Sequence, residues 1–124
     1  MNSKGIGYWA TTALVAFAVV SGGAAELARR PDNIEGLVKL GYPAYLATII
    51  GFWKVLGGIA ILAPRLPRLK EWAYAGIFFN MSGAAVSHAV SHDATWHVIV
   101  TASLAALALA SWALRSQTRI LGAL

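Results

Sequence analysis

A lysine at position 54 stands at the centre of an apolar stretch that runs from Ala44 to Ala63. At about 1.5 Å of rise per residue, this stretch as a helix matches the roughly 30 Å hydrocarbon core of a bilayer. An ionisable side chain at that depth costs about 2.5 kcal/mol or more to insert, and it is retained where it has a partner or a wet cavity. The chemistry open to Lys54 is donation to a ligand oxygen, charge balance with a carboxylate, or proton transfer. Glu26 is the carboxylate within reach by depth. With each apolar run centred on the bilayer, Lys54 and Asn80 sit near the midplane, and Glu26, His88 and His97 lie about 10–13 Å toward the outer face. Side chains lean toward the N-terminus of their helix. The run bearing Lys54 enters from outside and the run bearing Glu26 from inside, so the two lean toward each other. The expected result is a Lys54–Glu26 pair, direct or through water. Three readings follow: a functional pocket for a ligand, proton or quinone headgroup, a structural ion pair that fixes packing, or a lysine that snorkels to water.

The histidines form a second constellation. His88 and His92 are four apart, which puts both imidazoles on one face of a helix, and His97 follows a tight turn on the next helix. With Glu26 or Asp93 they make a nitrogen and oxygen donor set that suits a metal ion. Bis-histidine haem, proton relay and plain hydrogen bonding across helices are the other readings, and hydrogen bonding is the simplest. Asn80 is an interhelical hydrogen-bond partner or a ligand-orienting group beside Lys54. No nucleophile triad, phosphate loop or carboxylate dyad is present, so no residue is assigned a catalytic role. The chain has no cysteine, which removes disulfides, thiolate metal sites and thiol–disulfide catalysis.

The elements that must position these residues follow from hydropathy. Of 124 residues, 58% are hydrophobic and 12% charged, about half the charge of a soluble domain. Four apolar runs carry the excess: 7–28, 44–63, 72–91 and 95–114. None alternates polar and apolar residues as a barrel strand would. The expectation is an all-α integral membrane protein, a four-helix transmembrane bundle forming a single domain over residues 1–124. Gly23-Ala24-Ala25 would suit leader cleavage, but the run is long for a leader, and it is read as a span. Stripes of small residues accompany the polar groups: Ala18 and Gly22 with Glu26, Gly51 and Gly58 with Lys54, and Ala84, Gly83 and Ser87 with Asn80 and His88. Such stripes mark close helix contacts in membranes and turn the polar groups inward.

In the outer loop 29–43, Asp32 or Asn33 is expected to cap a short helix through Leu40 that ends at Gly41 and lies on the interface or plugs the bundle mouth. Pro64 and Pro67 stiffen the inner connection. The connection near His92-Asp93-Ala94 is so short that spans three and four must be antiparallel neighbours.

The formal charge of +5 is an orientation signal. Lys4, Arg65, Arg68, Lys70, Arg115 and Arg119 fall on one side, while Arg29, Arg30 and Lys39 on the other are offset by Asp32, Glu35 and Asp93. The positive-inside rule places both termini in the cytoplasm of a multi-pass protein of the inner (plasma) membrane. The lipid bilayer is then the partner of the basic groups, and nucleic acid is not.

From Gly41 to Asp93 the chain resembles the DoxX-like family of small membrane proteins. The resemblance rests on Gly41-Tyr42-Pro43, on Lys54-Val55-Leu56-Gly57-Gly58, on the segment from Ala63-Pro64-Arg65-Leu66-Pro67-Arg68 through Trp72-Ala73-Tyr74-Ala75-Gly76, and on Gly83-Ala84-Ala85-Val86-Ser87-His88. It implies a four-helix membrane protein with a quinone-linked or redox-accessory role, in company with membrane redox-complex subunits or a second copy of itself. Residues and resemblance together suggest a polar pocket in the outer half of the bundle that binds a quinone or another small amphiphile. Lys54 would donate, Glu26 would balance its charge, and Asn80, His88 and His97 would orient or relay protons. A metal on His88, His92 and His97, or haem, ranks behind quinone as a cofactor. A non-enzymatic scaffold and a small proton-coupled transporter are the alternatives.

Overall fold

A computed structural model describes residues 2–63 and 66–115. Among them are five helices: α1 Ser3–Leu27, α2 Pro31–Lys39, α3 Leu46–Leu62, α4 Pro67–Val90 and α5 Thr95–Ala113. The expected four-helix count is therefore corrected to four long helices and one short one. Pro64, Arg65 and Arg119, used above for the inner loop and the charge balance, lie outside the described residues. Helices α1 and α5 are long and apolar enough to cross a membrane, whereas α3 is apolar but has 17 residues.

Local chemistry explains the helix limits. Asn2 Oδ1 accepts the Gly5 N–H at 2.8 Å and caps α1, so the helix begins at Ser3 rather than Gly7. Pro67 does not break a helix but opens α4 at its first turn, where a missing N–H leaves no intrahelical bond unmade. Lys70 and Glu71 thereby move from the expected loop into the helix. Arg30, not Asp32 or Asn33, is the N-cap of α2, because Pro31 takes the first helical position. No residue of α2 is buried, so it lies against the bundle and does not plug it.

Three helix ends share one device. After α1, α2 and α4 the chain passes through the left-handed region at Arg29, Gly41 and His92, with φ of 55°, 96° and 55°. In each, the next N–H reaches back into the last turn: Arg30 to Ala25, Tyr42 to Leu37 and Asp93 to His88. This paired-bond termination satisfies the last carbonyls.

Helix α1 packs most extensively on α3, and α4 on α5; the α1–α5 and α3–α4 contacts are smaller. The core runs between them through Val15, Val19, Ile61, Tyr74, Ile77, Met81 and Ala108. The α1–α3 contact is made by glycine. A Cβ on Gly51 would lie 2.7 Å from the Gly23 carbonyl oxygen, and one on Gly23 would lie 2.8 Å from that of Gly51. The two backbones touch there, as small-residue crossings allow. Outside the bundle, large apolar side chains face outward: Phe17 is 76% exposed and Trp72 80%.

Candidate functional site

Lys54 Nζ donates to Glu26 Oε1 at 2.6 Å, and each side chain is 14% exposed. Helix α3 supplies the lysine and α1 the glutamate, on either side of the Gly23–Gly51 crossing. Gly22 makes room for the ammonium, since a Cβ there would lie 3.2 Å from Nζ. The ion pair and the glycine contact are thus one structure. Charge-assisted pairing of this length satisfies both partly desolvated groups.

On its other side α3 leaves a groove against α4, about 580 Å3 in volume. Ile49 and Ile50 line one end, and Ala63, Leu66 and Leu69 line the other, next to the α3–α4 connection. Its walls include Leu56, Ile59, Trp53 and Trp72, and Lys54 and Asn80 are its charged and amide-bearing lining residues. Glu26, His88 and His97 do not line it. The five polar residues expected to surround one outer-half pocket are therefore divided. Lys54 and Asn80 belong to a groove that extends from the first turns of α3 past mid-bundle to the α3–α4 connection. Glu26 stands behind Lys54, and the histidines form a separate centre.

That centre is organised by Asp93. Its Oδ2 accepts from His88 Nδ1 at 2.6 Å and from His97 Nδ1 at 2.9 Å. A carboxylate only accepts, so both imidazoles carry their proton on Nδ1. Its Oδ1 accepts the Ala94 N–H at 2.8 Å and faces Lys39 Nζ at 3.5 Å. The Ala94 N–H, then His97 and His88, hold the Asp93 carboxyl well below the usual carboxylate range. Because the folded value is depressed, the stability these contacts supply is present above the unfolded carboxyl range. It is lost as pH falls through the lowered value. Nearby, Tyr42 and Ser87 hydroxyls lie 2.5 Å apart, tying the α2–α3 connection to α4.

His92 does not join the centre. Helix α4 ends at Val90, so the i, i+4 reasoning that paired His92 with His88 does not apply. His92 occupies the left-handed position of the turn and is exposed. The same turn carries Asp93 back beneath His88, which is why the acid takes the place expected of the histidine.

A third polar cluster, at the end of the bundle that carries the α3–α4 connection, escaped the sequence reading. Lys70, counted above as an interfacial charge, is completely buried. Its Nζ donates to the carbonyls of Ala60, at 2.8 Å, and Ala63, and Tyr8 Oη donates to that of Ile61 at 3.4 Å. Helices α4 and α1 thus cap the C-terminus of α3, where a positive charge also complements the helix dipole. Tyr74 and Thr12 hydroxyls meet Ser111 Oγ at 2.7 and 2.5 Å. Arg115, expected at the headgroups, is 4% exposed and pairs with Glu71 at 2.8 Å. The signal was present in the helical spacing: Lys70, Tyr74, Ile77 and Met81 are all buried and recur at the period of one helix face.

Neither the curated proteins nor the solved structures contain a match to this chain. The model of the DoxX-like family matches residues 10–111, which include all of α2, α3 and α4 and every residue of the Lys54, groove and Asp93 sites. By that match, the chain with this glycine-crossed bundle belongs to the DoxX-like family.

Proposed function

We propose that this chain is a multi-pass protein of the inner (plasma) membrane that lodges a small amphiphile between α3 and α4. The quinone class is the first candidate, and service to a membrane redox system is the role. The observation that carries the reading is the groove itself: apolar walls along its length, with an ammonium and a carboxamide at mid-bundle. Its volume of about 580 Å3 is in the range of small-molecule sites, which are mostly apolar with a few placed polar groups. An isoprenoid or alkyl tail would lie along Leu56, Ile59 and Leu69. A headgroup oxygen would accept from Lys54, whose charge Glu26 balances, and from the Asn80 amide.

The test is tryptophan quenching. Trp53 and Trp72 line the groove, so a decyl quinone should quench the detergent-purified protein saturably, and Lys54→Met should abolish saturation while helical content persists. Quenching that saturates equally in Lys54→Met sinks the reading.

Membrane placement is part of the same proposal, with four crossings by the long helices and both described ends inward. Its support is the family, the outward-facing apolar side chains, and exposed Lys4 and Arg68 at the inner end. The chain lacks cysteine, so a single introduced thiol reports cleanly. Gly36→Cys on α2 should react with an impermeant maleimide in intact cells, and Arg68→Cys only after permeabilisation. The reverse pattern would invert the orientation.

A second reading has its own observation, the ion pair set against the Gly23–Gly51 contact. In this reading Lys54 and Glu26 only hold α1 to α3, and the chain is a scaffold or subunit. It requires strong coupling of the two residues in stability and no quinone response.

A further inference from the structure

The geometry points to a transition-metal site at the outer end of the bundle, formed by His88, Asp93 and His97 and suited to a divalent ion of the zinc class. One ligand atom from each residue lies within 4.8 Å of the other two. The donors come from three different elements: the last turn of α4, the connecting turn and the first turn of α5. His88 and His97 rings stand 5.1 Å apart between centroids, with both Nδ1 atoms directed at one carboxylate oxygen.

Two imidazoles and a carboxylate are the donors that favour zinc and its neighbours over magnesium or calcium, which take oxygen. In a tetrahedral site with ligands about 2.0–2.1 Å from the metal, donor atoms are separated by about 3.3 Å. The present 2.6 and 2.9 Å separations need to open by about 0.4–0.7 Å. Rotation of the Asp93 carboxylate, which both separations share, opens them, and His97, at 35% side-chain exposure the most open of the three, has room to follow. Each neutral ring would bind the ion through Nδ1 once its proton has moved, by exchange with solvent, to Nε2, so both imidazoles stay neutral and no net proton is released from them. Three protein donors leave a fourth position for water.

The surroundings suit the role. The Ala94 N–H holds Asp93 Oδ1 at 2.8 Å, orienting the carboxylate as outer-shell bonds orient metal ligands. Lys39 Nζ at 3.5 Å from Oδ1 is 72% exposed along its side chain and free to swing away as the cation enters. His92 lies on the same turn but outside the donor set, which makes it the internal control. A bound ion would cross-link α4 to α5 at their outer ends.

The test uses the full chain, purified in detergent and stripped with chelator, dialysed against Zn2+ and analysed for metal. One ion per chain is expected in the wild type and in His92→Ala, with affinity at least tenfold weaker in His97→Ala and Asp93→Asn. Thermal stability should rise with Zn2+ in the first pair and not in the second. Substoichiometric metal in the wild type, or unchanged affinity in a folded His97→Ala, overturns the site. Should the variants not fold, the wild type decides by Co2+ substitution. Visible bands of a low-symmetry, nitrogen-ligated ion support the site, and the spectrum of the aqueous ion refutes it.

Discussion

The two faces of α3 are built on opposite plans. Toward α1, Gly51 meets Gly23 backbone to backbone, Gly58 faces Val19 and Val20, and Lys54 is locked to Glu26 at 2.6 Å. Toward α4, Gly57 would accept a Cβ with ordinary contacts to Ile77 at 3.6 Å, Gly76 has nothing within 4 Å, and a groove of about 580 Å3 opens. Glycine on the first face brings backbones together; on the second it leaves space. The difference teaches that a stripe of small residues has no single meaning. Only the approach of a second helix makes it a contact, and without that approach it is a place to bind.

The largest effect should come from one identical change made on both faces. Gly51→Ala places a methyl against the Gly23 carbonyl, where only backbone can yield, and should destabilise the protein by about 3 kcal/mol. Gly76→Ala should be neutral or stabilising by about 0.5–1 kcal/mol through helix propensity. Unfolding in a denaturing detergent would measure both, and equal costs would erase the comparison.

Next in size is the ion pair. Glu26→Gln leaves the Lys54 ammonium partly buried without its charge partner, and should cost about 2 kcal/mol. Adding Lys54→Met should recover most of that loss, because removing both partners is less harmful than removing one. Simple additivity in this double-mutant cycle would show that the pair is uncoupled.

The smallest effect tests the groove without disturbing the rest. Gly76→Leu fills space that no atom occupies within 4 Å of its Cβ. It should weaken decyl quinone binding about tenfold, or about 1.4 kcal/mol, with stability changed by no more than about 0.5 kcal/mol. Binding that survives the leucine unchanged would move the ligand elsewhere.

Much of the architecture was legible in the residues. The apolar runs located α1, α3, α4 and α5, and the short link after Val90 made α4 and α5 neighbours. The side-chain lean and depth of Glu26 and Lys54 placed them together. What was not legible depended on where helices end and which helix comes close. His92 left the histidine set because α4 stops before it. Lys70 and Arg115 looked like headgroup charges until α4 extended down to Pro67 and brought them among the carbonyls of α3 and beside Glu71.

By itself the sequence determined a helical, cysteine-free, strongly apolar chain with its polar residues on small-residue stripes. Those properties are local: hydropathy, period and capping act within a few turns of the chain. The tertiary structure alone decided that Lys54 touches Glu26 on one side and borders the groove on the other. It also decided that Asp93 sits between His88 and His97, and that Lys70 is the most deeply buried charge among the described residues. Each of these depends on backbone approach between helices distant in sequence, which side-chain spacing along one helix does not encode.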